Sequence, residues 1–498
     1  MAIIEGATGF GKSPVNIALG NYFKPSFYTT PQIKLVNQLN NDFCPKRLAI
    51  DGGKGKIVSL LGRKNYICRK SNNPSDLCST YEGEEETSCP KEPNCTYWRQ
   101  KKLAQDSDIA ILTFAMLIIN NNLNGESKFL DRNLLIIDEC QSLESQIAGL
   151  FAGFIISPYI LPTSIREKLW DEISKQLPKS EKFNDYIPFL KGFKDLLYDY
   201  RYLCLNEREK EKLDSISQRI SYMTSELEEE RVWIVNIIYQ KNNKYKGNAR
   251  QFKPIFVDKF LQRKLWNQTN KIILSSATIP SRNNVKLWLN RLGLGNKQYS
   301  FHVAPMEFPV NNRPIITSCM GGKMTSKEEN YSWKENLKTI KEILRENYNE
   351  KGVIHTHSYK RAKMLNDDLK EFSTFLHDKE IVNKDVIKDW NKSGKKILIS
   401  PAVKEGVDLK DDLCRFQILL KVPYPSLEDA RVKYLLMEEK QWTWYFDETV
   451  KDILQMYGRA VRSPTDHAKF YIVDGSFNDI YKKVKFPEYF TNAINIEG

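Results

Sequence analysis

The chain has 498 residues, 41% of them hydrophobic and 28% charged, which is the composition of an ordinary soluble globular protein with room for two domains and insertions. No apolar run approaches the roughly 18 residues that a membrane-spanning helix needs, so a spanning segment is excluded. Lysine and arginine total 75 against 62 for aspartate and glutamate, a formal net charge of +13. This excess favours a polyanionic partner such as nucleic acid, although a lysine-rich composition alone also accounts for it.

The first segments along the chain alternate between predicted strand and helix. AIIEGATGFGKS predicts a short strand, a glycine turn and the start of a helix, and SFYTT predicts a second strand before a helix from about Pro31 to Phe43. After a window rich in cysteine, DIAILTF and NLLIIDE have the apolar runs of strands that are buried on both faces of a parallel sheet.

The composition changes between residues 145 and 265. Apolar residues recur there at steps of three and four and predict one face of a helix, at Leu213, Ile216, Ile220, Met223 and Leu227. We expect a helical insertion, although an ordinary helical domain would give the same pattern. KIILSSATIP then restores the strand pattern, and a second α/β series follows in KGVIHTHS, KKILISPA, RFQILLKVPYP and AKFYIVDGS. The simplest architecture is two α/β domains, the first split by two insertions.

A phosphate-binding loop is predicted in GATGFGKS, which follows a strand and opens a helix. Glycines such as Gly6, Gly9 and Gly11 let backbone N–H groups turn inward around phosphate oxygens. Lys12 can reach the β- and γ-phosphates, and Ser13 can bind Mg²⁺. The alternative is a structural glycine turn.

An acidic pair ends the strand in LLIIDECQ. Asp138 is predicted to lie at the carboxyl edge of the sheet beside the phosphate loop, where it would hold Mg²⁺ through water. Glu139 would orient and deprotonate the attacking water. Strands often end in acids, so this pattern gains its weight from the phosphate loop before it.

A basic pattern lies near the carboxyl terminus, in QMYGRAVRS. We predict a helix here with Gln455, Arg459 and Arg462 on one face, at spacings of four and three. Two arginines on one face suit bidentate contacts to the γ-phosphate of a nucleotide bound to another domain. A solvated basic face is the alternative.

Four of the nine cysteines lie in one window, with 9, 10 and 5 residues between them: Cys68, Cys78, Cys89 and Cys95. The N-terminus lacks the basic start and apolar core of a secretion signal, so we expect a reducing cytosol in which structural disulfides are rare. No pair has the two-residue spacing usual in zinc sites, whereas four loosely spaced thiolates can hold an iron–sulfur cluster. The residues alone leave a cluster, zinc and unligated thiols open.

The motifs together resemble a known family. GATGFGKS, DECQ, SSAT, KEGVDL and QMYGRAVR resemble the ordered motifs of superfamily-two helicases. More narrowly, LLGRKNYIC and CTYWRQKKLAQDSDIAILTF resemble the borders of the cysteine-rich insertion of XPD/DinG-family iron–sulfur helicases, including their short, phage-type DinG-like members. The resemblance covers nearly the whole chain.

The resemblance implies an α/β fold with two RecA-like P-loop motor domains that bind ATP between them. The implied segments are motor domain 1 at 1–61, 105–145 and 266–290, an iron–sulfur cluster insertion at 62–104, a helical arch at 146–265, and motor domain 2 at 291–498. By the same resemblance, the four clustered cysteines would hold a four-iron four-sulfur (4Fe–4S) cluster.

The implied function is that of an ATP-dependent DNA helicase, a DNA-dependent ATPase that moves 5′ to 3′ on single-stranded DNA and unwinds tailed or forked duplexes. Its implied cofactors are ATP, Mg²⁺ and the 4Fe–4S cluster. A monomer in the cytoplasm (the host cytoplasm if a phage encodes it), without a membrane partner, is also implied. The alternatives are a translocase or RNA or hybrid helicase without strong duplex DNA unwinding, and an ATP-gated nucleic-acid clamp with little turnover.

Further residue roles follow from the resemblance. Gly406 and Asp408 in KEGVDL would link the nucleotide state to the grip on the strand, and Ser276 and Thr278 in SSAT would couple hydrolysis to movement. The acidic box ends in Cys140 and Gln141 where the family usually has alanine and histidine. Because an amide can both donate and accept hydrogen bonds, we expect coupling through Gln141 to survive in an altered form.

Three residues around the cysteine window are candidates for contact with the strand. Arg63 could bind a phosphate, Tyr97 could stack on a base, and Thr113 could bind a phosphate by its position. The alternative for each is a surface or packing residue.

Overall fold

The computed structural model describes residues 1–7, 9–44, 56–69, 72–75, 95–121, 129, 131–152, 154–228, 233–238, 249–378, 386–401 and 409–495. Its strands, in chain order, are β1 (Ala2–Glu5), β2 (Ser26–Thr30), β3 (Ile57–Leu60), β4 (Ile109–Thr113), β5 (Leu134–Asp138), β6 (Phe154–Ile156), β7 (Trp233–Ile238), β8 (Ala249–Pro254), β9 (Ile272–Ser276), β10 (Ser300–Val303), β11 (Ile315–Ile316), β12 (Gly352–His355), β13 (Thr374–Leu376), β14 (Ile397–Ser400), β15 (Phe416–Leu419), β16 (Lys469–Ile472) and β17 (Ile494–Asn495).

The α-helices, in chain order, are α1 (Lys12–Tyr22), α2 (Ile33–Phe43), α3 (Thr96–Gln105), α4 (Phe114–Asn121), α5 (Leu143–Ala152), α6 (Arg166–Gln176), α7 (Ile187–Arg201), α8 (Glu207–Glu228), α9 (Asp258–Lys264), α10 (Val285–Arg291), α11 (Glu329–Glu346), α12 (Tyr359–Asp368), α13 (Val386–Lys392), α14 (Ala430–Met437), α15 (Trp442–Tyr457), α16 (Phe477–Lys483) and α17 (Glu488–Thr491). None of the helices in the described ranges is long and apolar enough to cross a membrane.

The first sheet is parallel, with the strand order β10-β1-β9-β5-β2-β4-β3. Strands β2, β4, β5 and β9 are buried along their whole length, which confirms the sequence-predicted strands there. Helices α1 and α2 cover one face, and α3, α4, α5, α9 and α10 cover the other. Because all strands run in one direction, the ends of β1, β5 and β9 meet at one edge.

The second sheet is also parallel, with the strand order β13-β14-β12-β15-β16-β11-β17. Helices α15 and α16 pack in the core on one face, and α11 and α12 on the other. The four strands predicted in this half are confirmed as β12, β14, β15 and β16. Two layered parallel sheets confirm the predicted α/β class.

The segment between α5 and α9 has a separate core made of residues from Phe154 to Phe252. Its long helix α8 buries the predicted stripe, with Leu213, Ile216, Ile220 and Met223 at most 6% exposed. The sequence did not predict the antiparallel sheet β6-β8-β7 that packs against the helices. Strand β8 has the sequence ARQFKP, whose polar residues hide the strand pattern.

A buried ionic contact joins the second sheet's helices to this inserted segment and to the first sheet. Glu144 at the start of α5 accepts a 2.8 Å hydrogen bond from Arg431 of α14 and a 3.2 Å hydrogen bond from Arg291 of α10. Arg431 also donates to the backbone oxygen of Ile255 over 2.9 Å, and its guanidinium lies 5.7 Å from the centroid of the Trp444 ring. We call this group, Glu144, Arg291, Arg431 and Trp444, the arch-side contact.

Candidate active site

The lysine of the phosphate loop is hydrogen-bonded to the backbone of the same loop. Gly9 and Gly11 adopt φ angles of +88° and +89°, which favour glycine, and α1 begins directly after them at Lys12. The Lys12 Nζ donates to the backbone oxygens of Gly6 (2.7 Å) and Ala7 (3.4 Å). Burial lowers the pKa of Lys12, and the nearby carboxylates of Glu139 and Asp138 oppose that shift. The ammonium group of Lys12 is thus held by backbone oxygens of the phosphate loop.

Asp138 ends β5 beside this loop and is joined to it through a tyrosine. Tyr28 of β2 donates a 2.8 Å hydrogen bond to Asp138 Oδ2, and the Ser13 hydroxyl lies in hydrogen-bonding reach of the same tyrosine oxygen. Burial and the neighbouring Glu139 raise the pKa of Asp138 to about 6. Ser13 and Asp138, the two predicted Mg²⁺ ligands, are therefore brought around one hydroxyl group.

Glu139 starts a chain of hydrogen bonds to the strand β9. Its φ of +50° is rare for a residue with a side chain and marks a strained position. Gln141 Nε2 donates to Glu139 Oε2 over 2.6 Å, and Gln141 Oε1 accepts a hydrogen bond from the Ser276 hydroxyl. The same serine oxygen accepts a 2.9 Å hydrogen bond from the Thr278 N–H. The amide of Gln141 thus connects the acidic box with SSAT.

The predicted helix through the arginines is wrong. Helix α15 ends at Tyr457, so Gln455 lies buried on the helix while Arg459 and Arg462 follow it in a turn. The Arg459 N–H bonds to the Met456 oxygen over 3.1 Å, which closes the turn after Gly458. A buried aspartate, Asp466, accepts the backbone N–H of Arg462 over 3.2 Å. Helical spacing did not detect this turn because the pattern continues unchanged through Gly458.

The turn faces the phosphate loop of the first domain. A Cβ added at Gly9 would lie 2.6 Å from Phe308 Cζ and 3.1 Å from the Arg462 backbone oxygen, so the loop touches the second domain. Both Arg459 and Arg462 contribute to lowering the pKa of Lys12, after the larger effect of burial. The two ends of the chain therefore meet at one seam, which we call the nucleotide seam: Gly6–Ser13, Asp138, Glu139, Arg459 and Arg462.

Gly406 and Asp408 lie outside the described residues and stay predictions. The next residue, Leu409, donates its N–H to the Arg459 oxygen over 3.3 Å. The end of KEGVDL is thereby tied to the arginine turn.

The cysteine window is described in part. Cys78 and Cys89 lie outside the described residues. Cys68 and Cys95 stand next to Ile67 and Thr96, and the Thr96 hydroxyl donates to the Ile67 oxygen over 2.7 Å. Across the described ranges, no group of three or more His, Cys, Asp or Glu side chains is arranged to hold a metal ion. Two of the four predicted ligands are thus the direct neighbours of two residues that are hydrogen-bonded to each other.

Two of the three predicted strand-contacting residues are buried. Tyr97 is 6% exposed and packs at 5.6 Å from the rings of both Tyr66 and Trp98. The Thr113 hydroxyl accepts the Met116 N–H over 3.2 Å at the start of α4. These contacts favour the packing alternative for both. Arg63 is half-buried, with its guanidinium 5.7 Å from the Tyr97 ring centroid.

Sequence reasoning missed Tyr28 and Phe308. A tyrosine in the middle of a strand buried on both faces needs a partner for its hydroxyl, and this was the available signal for Tyr28. Phe308 lies between the two α/β series, and its contact with Gly9 had no signal in the sequence.

Comparison with known proteins agrees with this architecture. Residues 340–493 match the family described as the helicase C-terminal domain. The chain is similar to a probable ATP-dependent helicase of Methanocaldococcus jannaschii, at 21% identity over 96% of this chain and 89% of that protein. It is also similar to the ATP-dependent DNA helicase YoaA of Haemophilus influenzae, at 22% identity over 95% of this chain and 87% of YoaA.

A solved structure of XPD in the apo form has the same fold, with a TM-score of 0.61 at 15% identity over 97% of this chain and 94% of that one. The two parallel sheets of this chain, with a phosphate loop on one and an arginine turn on the other, are consistent with that fold. Together, these similarities support an ATP-hydrolysing helicase of the XPD/DinG type.

Proposed function

We propose that this chain is an ATP-dependent DNA helicase that translocates 5′ to 3′ on single-stranded DNA and unwinds tailed duplexes. The observation that carries the proposal is the nucleotide seam, where Arg459 and Arg462 of the second domain lie close enough to Lys12 of the first domain to lower its pKa. The name of the Haemophilus relative and the net charge of +13 support DNA as the substrate.

ATP would hold the seam closed by electrostatics. Lys12 would exchange the backbone oxygens of Gly6 and Ala7 for β- and γ-phosphate oxygens, while Arg459 and Arg462 bind the γ-phosphate from the opposite side. Arg459 and Arg462 act on Lys12 as like charges, while Glu139 and Asp138 attract it. Loss of the γ-phosphate on hydrolysis would remove the anion that both sides share and so favour opening, and the alternation would move the two domains along the strand.

Ser13 and Asp138 are the residues that would hold Mg²⁺. Burial raises the pKa of Asp138 to about 6, and a neighbouring cation would favour its ionised form. The ion would neutralise charge on the β- and γ-phosphate oxygens.

Glu139 would act on the attacking water. The hydrogen bond from Gln141 fixes its carboxylate, which positions the carboxylate to orient that water and accept its proton. Gln141 also bonds to Ser276, whose loop leads to Ser281 and its hydrogen bond with Asp447 of α15. This path supports the role of SSAT in coupling hydrolysis to movement of the second domain.

We further propose that Cys68, Cys78, Cys89 and Cys95 hold a 4Fe–4S cluster. Support comes from the family and from the Thr96–Ile67 hydrogen bond beside the first and last of these cysteines. A cluster would cross-link the segments that carry these four cysteines and so stabilise them.

The motor proposal is tested with Lys12→Ala and with Lys34→Ala as a matched control at an exposed lysine of α2. We expect Lys12→Ala to lose DNA-stimulated ATP hydrolysis by at least about a hundredfold and to keep salt-sensitive DNA binding, because DNA contacts lie elsewhere. Equal turnover of Lys12→Ala and the parent would refute the motor.

The direction of translocation and the metal bound by the four cysteines are tested by separate assays. Duplexes with a 5′ or a 3′ single-stranded tail should differ in unwinding, and preference for the 3′ tail would contradict the proposed direction. Iron and sulfide assays after anaerobic purification should give about four of each per chain, and stoichiometric zinc without iron would overturn the cluster.

A further inference from the structure

A cavity of about 160 Å³ lies between the motor domains, and its lining includes Glu5, the residue directly before the phosphate loop. Its other walls are the loop after β9, helix α15, and the end of α16 at Lys483 with residues that follow it. Glu5 at the end of β1 contributes to its wall, and Ile3, two residues earlier on the same strand face, packs in the core with α5, α9 and α10. The cavity therefore lies beside the face of the first sheet that α5, α9 and α10 cover.

The cavity carries more positive than negative charge. Its basic side chains are Arg282, Lys451, Lys483 and Lys485, and its acidic side chains are Glu5 and Asp447. The Glu5 carboxylate forms a 3.2 Å ion pair with Arg282. Asp447 accepts a hydrogen bond from Ser281, so both acids already have partners.

Two lysines stand at the mouth of the cavity. Lys483 and Lys485 are exposed, and among the described residues neither forms an ion pair with a carboxylate. Two uncompensated ammonium groups beside a concave wall favour an anion, because the wall excludes water and focuses their field.

Aromatic side chains continue the cavity toward the start of α15. The Lys483 Nζ lies 5.1 Å from the ring centroid of Phe446, and the Trp442 ring lies 6.3 Å from Phe446. Trp442 is 48% exposed, which is unusual for a side chain of this size and apolarity. Cations beside an exposed aromatic ring are the combination with which proteins bind single-stranded nucleic acid without reading its sequence.

We infer that this cavity is a binding site for single-stranded nucleic acid, with one backbone phosphate held by Lys483 and Lys485 and the adjacent base stacked on Trp442. The inference rests on the proposed function, because it assumes that a strand passes between the motor domains. A free phosphate would use the same lysines but has no base to stack on Trp442. Stacking therefore distinguishes the two sources of phosphate.

The test uses the full chain and a fluorescent oligothymidylate of 15 nucleotides, with binding measured by anisotropy at several salt concentrations. The variant is Lys483→Gln/Lys485→Gln, and the control is Lys334→Gln/Lys338→Gln, two exposed lysines of α11. We expect the variant to bind about tenfold more weakly at 0.1 M salt, with a salt slope shallower by about 0.7 to 1.4. The control should match the parent.

Trp442→Ala tests the proposed stacking of a base on this side chain. We expect about tenfold weaker oligothymidylate binding with an unchanged salt slope, because stacking releases no counterions, and Trp442→Phe should restore part of the affinity. Inorganic pyrophosphate, titrated into the ADP-loaded protein, should bind the parent and the lysine variant equally.

The outcomes separate this site from the motor itself. If the parent fails to bind oligothymidylate, the proposed function and the site fall together. If the parent binds and the Lys483/Lys485 variant matches its control, the site alone is refuted. Weaker pyrophosphate binding with unchanged oligothymidylate binding would assign the cavity to a free phosphate and overturn the inference.

Discussion

The nucleotide seam and the arch-side contact both join the two motor domains, but their charges are balanced differently. At the arch-side contact, Glu144 lies between two guanidinium groups and all three side chains are at most 12% exposed. At the nucleotide seam, Lys12 and two arginines face each other, with Asp138 and Glu139 on the first domain's side. The first contact is an ion-pair network made within the chain, in which Asp447 also lies 4.0 Å from Arg291, whereas the second is the proposed site of a polyanion, the nucleotide.

The difference indicates which contact moves. A buried ion pair that loses its partner costs several kcal/mol, so the arch-side contact should persist while ATP is bound and released. At the nucleotide seam, the proposed shared partner of Lys12, Arg459 and Arg462 is the γ-phosphate, which leaves on hydrolysis. We expect the arch-side contact to act as a pivot and the nucleotide seam to open and close around it.

The largest effect is expected at the nucleotide seam. Arg462→Ala should lower kcat for ATP hydrolysis by about 10³ or more, because an arginine on the γ-phosphate stabilises charge that develops in the transition state. Arg345→Ala, an exposed arginine of α11, is the control. The rate of steady-state ATP hydrolysis at saturating ATP and DNA gives kcat for both variants. A decrease in kcat of less than tenfold for Arg462→Ala would show that Arg462 does not contact the γ-phosphate.

At the arch-side contact we expect a loss of stability rather than of chemistry. Glu144→Gln leaves the buried Arg431 and Arg291 without a counter-charge and should lower the free energy of unfolding by about 3–5 kcal/mol. Urea unfolding against Glu342→Gln, an exposed glutamate of α11, measures the difference. Unfolding free energies that agree within 1 kcal/mol would show that this contact is no pivot.

The same contact predicts a pH dependence. Burial raises the pKa of Glu144, but Arg291 and Arg431 lower it by more, so its folded-state pKa lies below the ordinary 4.5. An acid with a lowered folded-state pKa stabilises the protein above its unfolded pKa and loses that contribution as the pH falls through its folded pKa. The unfolding free energies of the parent and Glu144→Gln should therefore differ fully at about pH 6 and converge as the pH falls through the lowered folded-state pKa of Glu144. A constant difference across that range would contradict the ionic origin.

The smallest effect separates backbone strain from contact across the nucleotide seam. Gly9 and Gly11 have nearly the same positive φ, but only Gly9 lacks room for a Cβ, because Phe308 fills that space. Gly11→Ala and Gly9→Ala should each cost about 1–2 kcal/mol of backbone strain. Gly9→Ala should in addition have a KM for ATP about tenfold higher than that of Gly11→Ala, because its Cβ overlaps Phe308. Phe308→Ala in the Gly9→Ala background should recover that extra loss. Equal KM values for both glycine variants would mean that the seam does not close on Phe308.

Much of this architecture follows from local pattern. Apolar runs such as LLIID predicted the strands because a strand buried on both faces must be apolar throughout. The phosphate loop was predictable because Gly9 and Gly11 are needed for its conformation. The arginine turn was not, since helical spacing continues past Gly458. Glu144 was also missed, because its partners Arg291 and Arg431 are far away in sequence and meet it only in the folded chain.

Phe308 is anchored in the second domain's core, beside Val353 and Trp390, while its ring touches Gly9 of the first domain. Any widening of the gap between the two halves must therefore withdraw this ring from its neighbour. A fluorinated phenylalanine at position 308, whose ring is nearly the size of the native one, would report each opening of this gap as a change in its ¹⁹F NMR shift.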